Sequence, residues 1–380
     1  MHIRSRLPTV GTTIFTVMSE LAHEYDALNL AQGFPDFSPP AQLVANVHKH
    51  MLAGHNQYAP MTGIPELRRA IAAKVADLYR VSVDPDEEVT VTSGATDALF
   101  TAIAAVVHPG DEVLVFDPAY DSYVPAITLA GGVPVRLSLR APDFQVDWAQ
   151  AEAAINERTR MVIVNTPHNP SGAVFSQTDI DALAKAVEGK DICVLADEVY
   201  EHIVFDEHRH ISLLMNPQLR EKAFVVSSFG KTYHMTGWKI AYCIAPPALS
   251  CEFRKVHQYV TFCTSAPMQY AIADFMKSSS HHLELAAVYQ KKRDFFVQAI
   301  RSSRFKILPC KGTYFQLLDY SDISDEPDIG FARRLTREAG IASIPVSVFC
   351  EQADGMRLLR VCFAKDDKTL ARAGEILSGI

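Results

Sequence analysis

Apolar and polar positions follow two rhythms along this chain, and the change comes near residue 265. From about residue 88 to 245, short β-rich apolar runs alternate with segments of helical period. Val89–Thr92, Glu112–Phe116, Met161–Asn165, Ile192–Ala196, Ala223–Ser227 and Ile240–Ile244 read as strands; Asp97–Val107 and Gln177–Val187 read as helices. Alternation of this kind requires crossover connections, and so predicts an α/β layer with a mainly parallel sheet and helices on both faces. After Ser265 the pattern lengthens into amphipathic helices, Met268–Lys277 and His282–Ser302. Phe305–Leu308, Thr313–Leu318 and Leu358–Phe363 then read as a short, more antiparallel sheet. The Gly/Pro-rich run from Gln32 to Pro40 reads as an extended loop. The expected division is a large domain over residues 45–280 and a smaller α+β domain built from 1–44 and 281–380.

Length and composition narrow the function classes. A chain of 380 residues is too long for one ordinary domain and long enough for a large core with a smaller companion. Its net charge is -8, and Lys and Arg are scattered, which argues against a nucleic-acid partner. Seven cysteines form no CxxC pair and sit mostly in apolar runs, as Cys193 does, so buried free thiols in a reducing compartment are expected. The basic N-terminus has no apolar core behind it, so no secretory signal is expected. The longest apolar stretch, Ala98–Val107, is too short to span a bilayer, and the expected location is the cytoplasm.

In doubly wound sheets, ligands collect beyond the carboxyl ends of the strands. Four of the expected strands end there in polar clusters. Ser93-Gly94-Ala95-Thr96-Asp97 leads into a helix, whose free N–H groups and positive dipole end suit an anion; a plain cap by Thr96 or Asp97 is the other reading. Thr166–Gly172 contains turn-forming Asn-Pro and Ser-Gly pairs, yet also sets the Asn169 amide over the sheet. Asp197 closes an apolar strand, where a carboxylate is awkward to bury without a cation, and Tyr200 follows within one turn; a helix cap is again the alternative. Lys231 lies in Ser228-Phe229-Gly230-Lys231, among Gly, Ser and aromatic residues, opposite the other three clusters. An anion cradle, an amide, a carboxylate, a phenol and an amine would thus meet in one place.

At these residues the chain resembles the fold-type I, class I pyridoxal-phosphate-dependent aminotransferases over essentially its full length. Ser228–Lys239 (SFGKTYHMTGWK), Asn29–Pro40 (NLAQGFPDFSPP), Asp117–Tyr123 (DPAYDSY) and Arg360–Ala364 (RVCFA) are similar to the methionine aminotransferase and kynurenine aminotransferase subgroup. The resemblance implies a large domain with a mainly parallel seven-stranded sheet, and pyridoxal 5'-phosphate as cofactor, which needs this set of groups. It implies Lys231 as the Schiff-base lysine and proton shuttle, Asp197 as partner of the ring nitrogen, and Tyr200 and Asn169 as donors to the ring oxygen. Tyr120 would stack on the ring. Gly94, Ala95, Thr96, Ser228 and Lys239 would hold the phosphate, with Tyr58 reaching the phosphate of a neighbouring subunit in a homodimer with shared sites. Arg360 would hold the substrate α-carboxylate, helped by Asn169 and the Gly33 backbone, while Phe15 and Tyr123 would line the side-chain pocket.

One departure is visible: many class I members carry Arg where this chain has Lys239, a point charge in place of a fork, although the methionine/kynurenine subgroup shares the Lys. No second Arg marks a dicarboxylate side-chain site. The resemblance therefore implies ping-pong transfer of an amino group from methionine or an aromatic amino acid (phenylalanine, tyrosine, kynurenine) to a 2-oxo acid. A carbon–sulfur β-lyase using the same lysine is the enzymatic alternative. A non-catalytic cofactor-binding regulator would lack a reason for the full set of catalytic groups.

Overall fold

A computed structural model describes residues 4–353 and 355–380. The first three residues, which open the segment read above as lacking a secretory signal, and residue 354 lie outside the described residues. In chain order the strands are β1 (Leu28–Asn29), β2 (Val89–Thr92), β3 (Glu112–Asp117), β4 (Val133–Ser138), β5 (Thr159–Asn165), β6 (Cys193–Asp197) and β7 (Ala223–Ser228). They continue with β8 (Ala241–Ile244), β9 (Lys306–Ile307), β10 (Phe315–Asp319), β11 (Ile341–Ala342), β12 (Ile344–Pro345) and β13 (Leu358–Cys362). Seven form one sheet in the order β2-β8-β7-β6-β5-β3-β4, parallel except at β8, which runs antiparallel to β2 and β7. β12-β13-β10-β9 form an antiparallel sheet, and β1 pairs with β11. The chain is thus mixed α/β with a mainly parallel seven-stranded sheet, as expected.

Alternation along the central strands divides the core. On β6, Val194 and Ala196 face one apolar layer, while Cys193 and Leu195 face another; β7 does the same with Val225 against Phe224 and Val226. Strands buried on both faces must be apolar at nearly every position, which is why β5 and β6 were legible as runs. Each Val or Leu buried here contributes about 1.5–3 kcal/mol. A third apolar layer surrounds the antiparallel sheet and gathers Met18, Phe315, Leu318 and Val361. Among the described residues, no helix is long and apolar enough to cross a membrane.

Several elements lay outside the expected list. β4 is an edge strand, only partly buried, with Pro134 and Arg136 breaking its apolar run. The helices α1 (Ile14–Glu24), α2 (Ala41–Leu52) and α3 (Pro65–Tyr79) were unassigned. In α3 the hydrophobic period is masked because Arg68 and Lys74 are buried within it, Lys74 Nζ lying 2.6 Å from Glu201. The helix after β2, α4 (Ala95–Val106), starts two residues earlier than its periodicity suggested.

A buried ion pair joins the large sheet to the loop before β13. Asp117, at the end of β3 and 2% exposed, accepts from Arg136 Nε at 2.9 Å and Nη2 at 2.7 Å. Arg136 also donates to the Phe349 carbonyl at 2.9 Å, and Asp117 accepts from the Glu351 N–H at 2.7 Å. Removing one member leaves the other charge buried alone. We expect Arg136→Met to lose about 3–5 kcal/mol of stability. Adding Asp117→Asn to it should restore much of that loss. A urea midpoint for Arg136→Met matching the parent's would contradict this role.

Candidate active site

The parallel strands place Asn165, Asp197 and Ser228 at one edge of the sheet, because each is the last residue of its strand. β2 points the same way and hands the chain through Gly94 to α4. Gly94 has φ +84, and a Cβ there would meet Lys239 Nζ at 2.9 Å. Only glycine lets the lysine and the helix N-terminus converge at this distance. No side chain caps α4 from its N-cap position, and Asp97 instead accepts from the Ser93 N–H at 2.9 Å. The capping alternative for Thr96 and Asp97 therefore does not hold: Thr96 Oγ1 lies 3.3 Å from Tyr120 Oη, and the first-turn N–H groups stay available to an anion.

A cavity of about 250 Å³ opens at this edge. Gly94, Ala95, Thr96, Ser228 and Lys239 line one end, and Tyr120, Asn169, Asp197, Tyr200 and Lys231 its middle. Phe15, Gly33 and Arg360 line the other end. A larger cavity, about 400 Å³, lies beyond Asn165 and Tyr123, but it contains neither Lys231 nor Arg360, so volume alone does not locate the chemistry.

Three charged groups in the smaller cavity are short of partners. Asp197 is 4% exposed; its donors are the neutral Tyr123 hydroxyl at 2.7 Å and the Val199 N–H at 3.4 Å. Burial pushes its carboxyl up to about 6 against those hydrogen bonds and the pull of Lys231. A carboxylate so placed suits a buried cation such as a protonated ring nitrogen. Burial also lowers the Lys231 amine to about 8, with Arg360 and Lys239 pushing the same way and Asp197 opposing. Arg360 is 1% exposed, donates to Asn169 Oδ1 at 2.8 Å and Ala31 O at 3.2 Å, and leaves Nε unpaired. Around it stand Phe315, Phe15 and Phe349, with ring centres 3.9, 5.1 and 5.6 Å from the guanidinium carbon. A buried guanidinium without a carboxylate suits a carboxylate ligand.

One expected placement differs. Tyr123 does not face the cavity: it is 3% exposed and stands behind Asp197 as its hydrogen-bond donor. It opens the helix Tyr123–Ala130, which turns the side chain toward the sheet edge. Tyr58, expected to reach a neighbouring subunit, is 83% exposed and packed edge-on against Phe262 at the surface. Three contributors had no sequence signal strong enough to single them out. Asn165 donates to the Asp197 carbonyl at 2.8 Å and accepts from the Asn169 N–H at 2.7 Å, so it locks two site loops together. His168, held neutral by burial with its pKa near 4, donates Nε2–H to the Pro118 carbonyl at 3.0 Å and accepts from Ser171 at 2.6 Å. Tyr314 bonds Lys231 Nζ at 2.8 Å.

The class I and II aminotransferase family model matches residues 25–377. The chain is 54% identical over 375 residues to the methionine aminotransferase of Escherichia coli K12, covering 98% of this chain and 97% of that one. It is 34% identical over 408 residues to rat kynurenine–oxoglutarate transaminase 1, covering 98% and 96%. Among solved structures, Escherichia coli YbdL, described as having a methionine aminotransferase function, matches with TM-score 0.98 and 53% identity over the whole of both chains. N-succinyldiaminopimelate aminotransferase from Mycobacterium tuberculosis matches with TM-score 0.96 and 37% identity, again over both whole chains.

The raised Asp197 carboxyl has a stability consequence. Folded, it keeps its proton up to about pH 6; unfolded, it releases it near the ordinary 3.8. Ionising it in the ligand-free chain therefore costs stability as pH rises from 4 to 6, a cost present in full at pH 7. We expect ligand-free Asp197→Asn to be more stable than the parent at pH 7 by up to about 3 kcal/mol, a gap that closes below pH 4. A variant less stable than the parent at pH 7 would contradict this.

Proposed function

We propose that this chain, which belongs to the class I and II aminotransferases, moves the amino group of methionine or an aromatic amino acid to a 2-oxo acid by a ping-pong sequence. The observation that carries the proposal is the meeting of a lowered amine, Lys231, with a cation-seeking carboxylate, Asp197, and a carboxylate-seeking guanidinium, Arg360, in one cavity. The enzyme is pyridoxal-phosphate dependent, as its family is. The residues fit that group: Asp197 lacks a cation, the Gly94 turn leaves an anion cradle, and Lys239 adds positive charge beside it. When bound, pyridoxal phosphate supplies a ring that delocalises the negative charge left on the substrate's α-carbon.

The chain's own groups divide the remaining work. Asp197, backed by Tyr123, would keep the ring nitrogen protonated. Tyr200, which burial holds as a neutral phenol, and Asn169 would donate to the ring oxygen. Asn169 Oδ1 is committed to Arg360, so its Nδ2 is the end left to donate. Tyr120 would stack on the ring. The first-turn N–H groups of Ala95 and Thr96, with Ser228 and Lys239, would hold the phosphate. Lys231, as a neutral amine, would take the α-proton at Nζ and deliver it to the cofactor's C4′. A pKa near 8 leaves part of the amine neutral at pH 7 to 8, where an ordinary lysine is almost wholly charged.

Arg360 would grip the α-carboxylate with the Gly33 segment beside it. A single guanidinium serves donor and acceptor alike, so the two substrates must enter in turn, which supports ping-pong order. The rings of Phe15, Phe315 and Phe349 around that grip favour an apolar or aromatic substrate side chain over a carboxylate. The methionine and kynurenine specificities of the relatives point the same way. Exposed Tyr58, Phe262 and Tyr259 form an apolar surface that suits a second copy of the chain, with Tyr58 reaching the neighbour's phosphate. The expected mass in solution is twice 42.0 kDa.

A donor panel tests the specificity. Methionine, phenylalanine or kynurenine with a 2-oxo acid should exceed aspartate and alanine in kcat/KM by about tenfold or more. Preference for aspartate or alanine would overturn the substrate class. Pyruvate and ammonia released from cystathionine without an oxo acid, faster than transamination, would mark a β-lyase. Lys231→Ala should lower turnover by at least about 10²–10⁴-fold, and unchanged turnover would remove the lysine from the mechanism.

A further inference from the structure

Resting on the reading of Lys231 as the cofactor lysine, we propose that Tyr314 is a further catalytic residue: its hydroxyl receives and orients the Lys231 amine whenever that amine is not covalently engaged. Tyr314 immediately precedes β10 and is fully buried. Its Oη lies 2.6 Å from the Gly33 carbonyl oxygen and 2.8 Å from Lys231 Nζ. A phenol has one proton to give, and a carbonyl can only accept. The Tyr314 proton is therefore committed to Gly33, and toward Lys231 the hydroxyl can only accept.

That direction matters for the chemistry. A hydroxyl donating to a neutral amine would occupy the nitrogen lone pair and blunt it as a base. An accepting hydroxyl takes one N–H and leaves the lone pair free. The Gly33 carbonyl, 3.4 Å from Nζ, draws amine hydrogens to the same side. The lone pair is thereby turned away from Tyr314, while the nitrogen stays in the cavity that Asp197 and Arg360 also line. Once the amine has taken a proton, the same acceptor stabilises the ammonium in a site whose burial disfavours it.

The position is held from three directions. The Tyr314 ring meets Tyr200 edge-on at 5.2 Å and 90°, and packs against Phe315 at 4.9 Å and Tyr289 at 5.7 Å. Lys231 Nζ sits 5.5 and 5.4 Å from the centres of the Tyr200 and Tyr314 rings, to one side of the pair. At Gly33 a Cβ would come 2.8 Å from Phe315 Cζ, so only glycine brings this carbonyl close enough to take the phenol's proton. One hydroxyl thus ties the catalytic lysine of the large sheet to the N-terminal segment and to the antiparallel sheet that carries Arg360.

Tyr314→Phe keeps the ring and removes only the acceptor. Its first readout is the cofactor-free protein, labelled competitively with acetic anhydride across pH and followed by mass spectrometry of the Lys231 peptide. The Lys231 midpoint should fall by about one unit, because the ammonium loses a charge-assisted partner. In the loaded enzyme, kcat with methionine should fall about tenfold while KM stays within about threefold, and the α-deuterium isotope effect on kcat should rise as proton transfer becomes slower. If the Phe variant does not fold, 3-fluorotyrosine at 314 keeps the shape, weakens the oxygen as an acceptor, and must move the midpoint in the same direction. An unchanged Lys231 midpoint together with an unchanged isotope effect overturns the proposal. The cofactor-free shift reads the Tyr314–Lys231 contact alone. Failure of the wider reading would appear separately, as turnover that survives Lys231→Ala.

Discussion

Buried charge without a full partner costs several kcal/mol per group, and this chain keeps three such groups around one cavity. Among the described residues, Asp197 has only neutral hydrogen-bond donors, Arg360 has only carbonyl oxygens to bond, and Lys231 has a hydroxyl and a carbonyl. In the function proposed above, each deficit would have its complement: a protonated ring nitrogen, an α-carboxylate, a covalent partner carbon. The cavity's own groups are therefore electrostatically incomplete, and the cofactor and substrate would complete them. Much of the binding energy available to ligands is desolvation already suffered by the protein during folding, which is the physical content of preorganisation.

Keeping such a site requires a rigid frame, and the two sheets supply it differently. The parallel sheet delivers Asn165, Asp197 and Ser228 by strand ends alone, so their spacing is set by the ladder. The antiparallel sheet delivers Arg360, paired across from Leu317, and sets Tyr314 just before the strand that makes that pairing. Polar contacts join the two beside shared apolar packing of Leu308, Leu317 and Leu358 in the large core: Arg360 with Asn169, Tyr314 with Lys231, and the Asp117–Arg136 pair with the Phe349 loop. The Phe349 ring beside Arg360 therefore depends on an ion pair that touches no substrate.

Sequence alone made the central strands readable because β5 and β6 are apolar on both faces and end abruptly in Asn165 and Asp197. It failed where burial and pattern part company. β4 is an edge strand whose Pro134 and Arg136 hide its alternation. α3 hides behind Arg68 and Lys74, both buried, Arg68 paired with the surface Asp86 and Lys74 with the buried Glu201. The site divides the same way. Residues at strand ends and helix starts, such as Gly94, Asp197 and Lys231, could be ranked by position. Tyr123 could not, since its one-residue geometry sends it behind Asp197. Tyr314 could not either, because its contacts bridge 83 and 281 residues of chain to Lys231 and Gly33. Tyr58 is placed by resemblance, on an exposed surface beside Phe262.

The identity of the covalently bound lysine tests the central claim most directly. Purified protein loaded with pyridoxal phosphate would be reduced with borohydride, digested and mapped by mass spectrometry. A single pyridoxyl group on the peptide containing Lys231 is the result expected from an amine lowered by burial and facing Asp197. A pyridoxyl group on Lys239 or on any other lysine, with Lys231 unmodified, would contradict it.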